Sequence, residues 1–237
     1  MKIAIVDSRI PKDAYRALSC YADKIFCLPK FSCVQEPVSA HPDMLIFLAK
    51  DSIITSKGYA KENKALFSEI SALSGRRILF DENELSPIYP ADVKFNCFIA
   101  SGMLFGLHSA LSERVIEWTK ENTIPVVNVR QGYAKCSTCV VSEDAVITED
   151  VSIEEAMLEK RIDVLRVASG QVALDGYNCG FIGGASGSDN ENVYFCGDIS
   201  KHPDYIKIRD FCHRHKKECV SLGNSGLYDV GTILFLE

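Results

Sequence analysis

Apolar residues recur along the chain in two alternating patterns, one typical of helices and one typical of strands. Apolar side chains spaced three and four residues apart predict helices at 66–73, 115–118 and 208–215, and a weaker one at 11–21. Ser152 and Glu155 predict a capping box for one more helix. After each helix comes a short β-rich run, and these runs are KIFCL, RILF, PVVNV, DVLRV and ECVSL. A polar turn and a second apolar run follow, so the chain is α/β throughout.

The second apolar runs resemble one another when they are superimposed. Each starts with a polar residue followed by a small or flexible apolar one, at a spacing of roughly 40–50 residues, which is typical of a repeated supersecondary unit. The polar members are Asp43, Asn96, Lys135, Asn178 and Asp229, and their neighbours are Met44, Cys97, Cys136, Cys179 and Val230. The pattern predicts five strand–strand–helix–strand units within a single domain of residues 1–237.

The fifth unit is predicted to be split between the two ends of the chain. Its first strand is the C-terminal run DVGTILFLE, and its other strand and helix are KIAIVDS and PKDAYRALSCYA at the N-terminus. Pairing of the two ends would close the five units into a pseudo-fivefold ring without free sheet edges. A doubly wound parallel sheet is the alternative, but runs such as STCVVS and AVIT have no helix between them and therefore predict hairpins.

The split fifth unit and the segment Gly226–Thr232 resemble the pentein fold, the α/β propeller of guanidino-group-modifying enzymes. The chain is most similar to an uncharacterised bacterial family with that fold. In the hydrolases of this fold, a glycine-rich turn leads into a strand with a nucleophilic cysteine and a Thr or Ser two places later. The turn here is Gly223–Gly226 and the threonine is Thr232, but Val230 stands at the cysteine position. Because valine offers no nucleophile, the resemblance implies the fold without the usual thiol chemistry.

In a closed ring, the five polar members would converge on the axis. Asp43, Asn96, Lys135, Asn178 and Asp229 are therefore the candidate ligand-binding residues, and the two acids suit a guanidine or amine cation. The alternative is a self-satisfied structural ring in which Lys135 neutralises Asp43 or Asp229, because buried polar groups need partners.

Candidates for a catalytic role are fewer, and whether the protein is an enzyme stays open. Cys136 and Cys179 are possible relocated nucleophiles, although buried cysteines more often pack. His41 is the best-placed general base, and an ordinary surface position is its alternative. Any enzymatic activity would be hydrolysis of C–N bonds in guanidino-like compounds.

Three further motifs are assigned structural roles. Cys136 and Cys139 form a CxxC, but on a strand their thiols would point to opposite faces, so no metal is predicted. The run from Gly183 to Gly187 leads into a strand rather than a helix, which favours a hairpin loop over a phosphate cradle. Arg130 is expected in a solvated turn. No cofactor is predicted.

Composition narrows the classes of partner. The net charge is −6, the basic residues are scattered, and 47% of residues are hydrophobic, which argues against nucleic-acid partners and disorder. A signal peptide and membrane span are not expected, so the ten cysteines are predicted to be reduced in the cytoplasm. The expected partner is a small molecule, and the oligomeric state stays open.

Two functional hypotheses remain at this point. The first is an enzyme-derived protein that binds a small polar or cationic ligand at the centre of the ring. The second is a non-catalytic assembly factor, because a translation initiation factor that keeps ribosomal subunits apart has the same fold. An open polar cavity would favour the first hypothesis, and a plugged centre would favour the second.

Overall fold

The computed structural model describes residues 1–236, so Glu237, the last residue of the predicted C-terminal strand, lies outside the described residues. The helices are α1 (Lys12–Leu18), α2 (Pro42–Leu45), α3 (Lys57–Glu62), α4 (Lys64–Ser74), α5 (Glu113–Glu121), α6 (Val151–Glu159) and α7 (Tyr205–Arg214). Short 3-10 turns cover Glu36–Val38 and Ile199–Lys201.

Strands alternate with these helices along the whole chain. They are β1 (Ile3–Asp7), β2 (Lys24–Leu28), β3 (Ile46–Leu48), β4 (Ser52–Ser56), β5 (Arg77–Asp81), β6 (Phe98–Ala100), β7 (Met103–Gly106), β8 (Val126–Asn128) and β9 (Thr138–Ser142). The remaining strands are β10 (Ala145–Thr148), β11 (Asp163–Arg166), β12 (Val172–Ala173), β13 (Ser186–Ser188), β14 (Asn192–Phe195), β15 (Glu218–Ser221), β16 (Leu227–Tyr228) and β17 (Leu234–Leu236).

The strands of residues 1–236 form five three-stranded sheets and one two-stranded sheet. The three-stranded orders are β17-β1-β2, β3-β4-β5, β6-β7-β8, β9-β10-β11 and β13-β14-β15, and β12 pairs with β16. In each three-stranded sheet the first pair is antiparallel and the second is parallel. At least one helix joins every parallel pair, as such a crossover requires. A continuous doubly wound sheet is therefore the wrong alternative for the described part of the chain.

The two ends of the chain meet in one sheet. Ile3 pairs with Leu236, Ala4 with Phe235 and Ile5 with Leu234, in antiparallel register. On its other side β1 pairs in parallel with β2 over five residues. The first strand of the chain thus has neighbours on both sides, and one of them is the last strand.

The β-rich runs that follow each helix are strands, and this part of the sequence prediction is confirmed. KIFCL is β2 with identical bounds, and the other four runs correspond to β5, β8, β11 and β15. The hairpin predicted from STCVVS and AVIT is the antiparallel pair of β9 and β10. These runs are recognisable because β-branched residues cluster in them and polar residues bound them.

The predicted starts of the second apolar runs are wrong by several residues. Pro42–Leu45 is a helical turn rather than a strand, since Pro42 suits a first helical position, and β3 begins only at Ile46. In the fourth unit the strand is Ser186–Ser188, well beyond the predicted start at Asn178. The segment from Gly183 to Gly187 is therefore partly strand, and the hairpin turn comes after it.

Helix starts follow local hydrogen bonding. Asp150, not Ser152, caps α6, because its carboxylate accepts from the backbone N–H groups of Ser152 and Ile153. A Cβ-bearing residue at the end of α4 would be strained, since Gly75 has a φ of 70° there.

No helix within residues 1–236 is both long enough and apolar enough to cross a bilayer.

Candidate functional site

A cluster of buried polar side chains lies where the segments before β3, β6, β9 and β17 meet. We call it the central cluster, and its members are Asp43, Asn96, Lys135, Cys136 and Thr232. Lys135 is partly buried, and each of the other four is at most 4% exposed. The residues precede their strands by two or three positions, so they occupy turns rather than the strand positions predicted from sequence.

Asn96 organises the central cluster through its side-chain amide. Its Oδ1 accepts from the backbone N–H groups of Lys135 and Cys136, at 2.7 and 3.1 Å. Its Nδ2 lies 3.2 Å from the Asp43 carbonyl oxygen and 3.0 Å from Cys136 Sγ. Nδ2 also lies 3.3 Å from Met44 Sδ. One amide therefore ties three units of the fold together, and both of its own polar atoms have hydrogen-bond partners despite complete burial.

Asp43 Oδ2 is the second centre of the cluster. Cys136 Sγ donates to it at 3.1 Å, and Thr232 Oγ1 lies 2.8 Å away. Lys135 Nζ donates to Thr232 Oγ1 at 3.3 Å and to the Thr138 carbonyl oxygen at 3.1 Å. Thr232 has a φ of 72°, a left-handed conformation that a β-branched residue adopts only when its surroundings hold it there.

Burial sets the protonation of the central cluster. It raises the pKa of the Asp43 carboxyl, against the hydrogen bonds from Cys136 and Thr232 and the charge of Lys135. It also raises the pKa of the Cys136 thiol well above its ordinary value, and Asp43 and Asp229 add to the rise. Cys136 is therefore a protonated thiol that donates a hydrogen bond, and it lacks the thiolate character of an activated nucleophile.

Beside the central cluster an open cavity of about 440 Å³ reaches the surface, and we call it the acidic cavity. Its ionisable lining residues are Asp7, Arg9, Glu36, His41, Asp175, Tyr228 and Asp229, and Val230 also lines it. Four carboxylates thus face one guanidinium and one imidazole. Among these, Asp7, His41 and Asp229 are buried, and Glu36 and Asp175 are exposed.

His41 lies at the bottom of the acidic cavity and is only 2% exposed. Its Nδ1 is 3.7 Å from Asp229 Oδ1 and its Nε2 is 3.8 Å from Asp7 Oδ2, distances too long for hydrogen bonds. Nδ1 has no hydrogen-bond partner among the described residues. Burial lowers the pKa of His41, although both carboxylates oppose this, so the imidazole is neutral near neutral pH.

Close backbone packing fixes the position of His41. A Cβ on Gly231 would lie 2.1 Å from the Cβ of His41, and the φ of Gly231 is 66°. Only glycine fits both the space and the conformation. The Gly231 carbonyl oxygen also accepts from the Asp43 N–H at 3.0 Å, which couples this turn to the central cluster.

Asp229 is held by backbone donors from two segments. Its Oδ1 accepts from the Gly231 N–H at 2.9 Å, and its Oδ2 accepts from the Phe181 N–H at 2.9 Å. Burial raises the pKa of this carboxyl, and the charge of Asp43 adds to the rise. A Cβ on Gly184 would lie 2.1 Å from Asp229 Oδ1, so the fourth unit contributes a glycine where the others contribute side chains.

Sequence reasoning missed Asp7 and Arg9. Arg9 Nε and Nη2 donate to the two oxygens of Asp7 at 3.0 and 2.7 Å, and the Arg9 N–H donates to Asp7 Oδ1 at 2.6 Å. Both residues sit at the carboxyl end of β1, where the chain leaves the sheet. That position was the signal available in the sequence, because polar residues that directly follow a buried strand often line a site.

The structure brings together three of the five predicted ligand-binding residues. Asp43, Asn96 and Lys135 share the central cluster, and Asp229 lies in the neighbouring cavity wall. Asn178 is exposed, and no hydrogen bond within residues 1–236 joins it to the other four. The register error in the fourth unit explains this, because the segment equivalent to Asp43 and Asn96 is Gly183–Gly184 rather than Asn178.

The three candidate catalytic residues lie in different places in the structure. His41 lines the acidic cavity, Cys136 is locked in the central cluster, and Cys179 is partly exposed after Asn178. Cys136 directly follows Lys135 in a turn rather than a strand, so strand alternation does not apply and its thiol lies among the polar side chains, where it donates to Asp43. Arg130 is exposed and pairs with Glu155, as expected for a solvated turn. Within the described residues no cluster of His, Cys, Asp or Glu has a metal-binding arrangement.

Comparison with solved structures shows the same fold across nearly the whole chain. DDAH from Pseudomonas aeruginosa, a mutant complexed with citrulline, superposes with a TM-score of 0.59 at 8% identity, covering 93% of this chain and 90% of that chain. The inosamine-phosphate amidinotransferase of Streptomyces griseus has a TM-score of 0.52 at 12% identity, covering 91% of this chain and 76% of that one. These pentein-fold proteins show the fold alone, since the identities are so low.

A saxitoxin-pathway amidinotransferase from Microseira wollei is similar to the same degree, with a TM-score of 0.52 at 12% identity over 92% of this chain and 87% of that one. No protein of curated function matches the chain in sequence. One family model matches residues 5–234, and its description is "Family of unknown function (DUF6873)".

Proposed function

The chain belongs to the family of unknown function DUF6873, whose model spans nearly all of it, and we propose that it binds a small guanidine- or amine-type cation in the acidic cavity. In this proposal the five three-stranded sheets are the blades of a closed ring, with one blade shared between the chain ends. The acidic cavity then lies at one mouth of the ring, beside the axis. The central cluster is the structural floor beneath it.

The observation that carries the proposal is the pair of acceptors at the bottom of the acidic cavity. His41 Nδ1 accepts in the neutral tautomer that carries its proton on Nε2, and it has no hydrogen-bond partner among the described residues. It lies 3.7 Å from Asp229 Oδ1, and both residues are at most 2% exposed. Two acceptors at this spacing suit two N–H donors of one guanidinium, or two hydrogens of one ammonium group. A cation placed there satisfies the orphaned nitrogen and neutralises the buried carboxylate.

The charge of the whole cavity supports the same ligand class. Its lining has four carboxylates and one guanidinium; Arg9 pairs with Asp7, and Lys30, outside the lining, pairs with Glu36, so the carboxylates of Asp175 and Asp229 leave the cavity with a net negative charge. A low-dielectric pocket with one sign of charge concentrates ions of the opposite sign. The cavity volume of about 440 Å³ is in the range of pockets for small molecules.

In the proposed role the protein binds a cation but does not carry out the thiol-dependent hydrolysis of the enzymes that its fold resembles. Val230, which lines the acidic cavity, stands where the resemblance implies the nucleophilic cysteine. Cys136 donates a hydrogen bond to Asp43 and has a raised pKa, so it does not replace that thiolate. The open cavity also favours a ligand-binding protein over the assembly factor, for which a plugged centre was expected.

Calorimetry with agmatine and other small guanidines and amines tests the proposal. Asp229→Asn removes one charge-assisted hydrogen bond and is expected to weaken agmatine binding roughly 10- to 100-fold. The matched control is Asp210→Asn, which changes an exposed carboxylate on α7. If no cation binds, or if Asp229→Asn leaves the affinity unchanged and only lowers the melting temperature, the role of Asp229 is structural and the proposal is wrong.

A further inference from the structure

The carboxylates of the acidic cavity lie at two depths. Asp229 and Asp7 are 1% and 2% exposed at the bottom, and Glu36 and Asp175 are exposed nearer the opening. A ligand whose cationic group reaches Asp229 therefore extends its other end past Glu36 and Asp175. The chemistry at that outer end decides which cations the cavity accepts.

Arg9 is the only Arg or Lys among the described residues that line the acidic cavity. Its guanidinium is already used, because Nε and Nη2 donate to the two oxygens of Asp7. Nη1 donates to the Glu36 carbonyl oxygen at 2.8 Å, and Nη2 also donates to the Pro37 carbonyl oxygen at 3.0 Å. An arginine binds a carboxylate strongly through two parallel N–H groups, and the face of Arg9 that offers them is occupied by Asp7.

We propose that the acidic cavity selects cations that carry no carboxylate, so that it accepts an amine or guanidine and excludes the corresponding amino acid. This inference rests on the proposed function, since it concerns the same site. An amino acid with its side-chain cation at Asp229 places its α-carboxylate near Glu36 and Asp175, where the two nearby cations, Arg9 and Lys30, are already paired with Asp7 and Glu36. Like charges brought together at a binding site cost affinity, and this cost supplies the selectivity.

Three ligands distinguish the effect of the carboxylate's charge from the effect of its size. Agmatine and arginine share the guanidinium and the amine, and they differ by one carboxylate; arginine methyl ester keeps the bulk of that group and removes its charge. Calorimetry at low salt is expected to give similar affinities for agmatine and the ester, and an affinity for arginine at least about tenfold weaker. Raising the salt concentration should narrow the difference, because the outer acids are exposed.

The double variant Glu36→Gln/Asp175→Asn tests the origin of the selectivity. Both side chains are exposed, so the fold should be unaffected. The agmatine-to-arginine affinity ratio is expected to fall severalfold, because two carboxylates are removed and Lys30 is released from its pair with Glu36. Glu113→Gln/Asp210→Asn is the control, because it removes the same two charges from exposed positions outside the lining of the cavity, and it should leave the ratio unchanged. A second variant, Asp7→Asn, uncovers Arg9 and should shift the ratio towards arginine.

The outcomes are distinguishable. Equal binding of agmatine and arginine to the wild-type protein overturns the selectivity while the cation-binding function stands. An ester that binds as weakly as arginine also overturns it, since size rather than charge would then discriminate. Failure of all three ligands to bind overturns the proposed function together with this inference.

Discussion

At the scale of single residues, Asp229 determines how ligand binding depends on pH. Burial raises the pKa of this carboxyl, so it takes up a proton at a higher pH than an exposed aspartate does. As pH falls through that raised pKa, the carboxylate loses its charge and a cation loses its partner. Burial lowers the pKa of His41, so its imidazole takes up a proton at a lower pH than an exposed histidine does and then adds a charge that repels the cation.

We therefore expect agmatine affinity to increase with pH from mildly acidic to neutral conditions. Burial raises the pKa of Glu149 to about 7, and the charge of Asp229 adds to the rise. Ionisation of Glu149 near neutral pH therefore adds negative charge close to Asp229, which attracts the cation and contributes to the same trend. Calorimetry across this pH range checks the prediction. In Asp229→Asn the agmatine affinity should vary less with pH, and the remaining variation should be the part that Glu149 causes. An affinity that falls as pH rises would contradict the assignment of Asp229 as the cation's partner.

Val230 and Cys136 together predict the absence of thiol-dependent hydrolysis. Val230 replaces the implied nucleophile, and Cys136 is a protonated thiol that is hydrogen-bonded to Asp43 and Asn96. Purified protein is expected to release no citrulline or ammonia from arginine, agmatine or methylated arginines above the buffer rate. Robust release that is abolished by Cys136→Ser or Cys179→Ser would mean that a relocated cysteine acts as the nucleophile.

At the scale of the structural elements, the glycine pair before β13 is a packing requirement. A Cβ on Gly184 would meet the Asp229 carboxylate, and one on Gly183 would lie 2.4 Å from the carbonyl oxygens of Lys135 and Thr138. Gly184→Ala is expected to destabilise the fold by about 1–3 kcal/mol, as overpacking does, and to displace Asp229. For a chain of this size, each kcal/mol lowers the melting temperature by roughly 2–4 °C.

Gly226→Ala is the matched control for Gly184→Ala. The added methyl would meet no atom within 4 Å, and the φ of Gly226 is not in the left-handed region. Its melting temperature should equal that of the wild type within about 2 °C, since surface substitutions usually change stability by no more than about 0.5 kcal/mol. Equal melting temperatures for both variants would mean that the packing of Gly184 against Asp229 is looser than the distance of 2.1 Å indicates.

The same glycine pair explains where sequence prediction failed. Strands such as β2 and β9 were predictable, because clustered β-branched residues and bounding polar residues mark them. The polar positions at Asp43, Asn96 and Lys135 were also predictable from their repetition. Gly183 and Gly184 carry no polar side chain, so the repeated polar position could not be recognised there. The alignment of the five apolar runs therefore placed it at Asn178, several residues too early. Asp7 and Arg9 were missed because only the three-dimensional path of the chain brings β1 beside Asp229.

At the scale of the whole molecule, the pairing of β1 with β17 brings the two chain ends close together, so a short loop could join them. A circular permutant that joins the ends by a short Gly-Ser linker and opens at Gly75 should fold and bind agmatine like the wild type. Gly75 is exposed in the turn between α4 and β5, and a new terminus there breaks no sheet. Thermal melts and calorimetry check the prediction, and an unfolded permutant would contradict it.

The pairing of the two chain ends also has a consequence for synthesis on the ribosome. β1 leaves the exit tunnel long before its partner at Leu234–Leu236, because almost the whole of the described chain separates the two strands. During translation β1 can pair with β2, while its other edge has no partner until Leu234–Leu236 has been synthesised. A nascent chain at this stage exposes a strand edge of the type that recruits other chains. Premature termination shortly before Leu234 would therefore release a product with that edge permanently open, suited to chaperone capture and degradation.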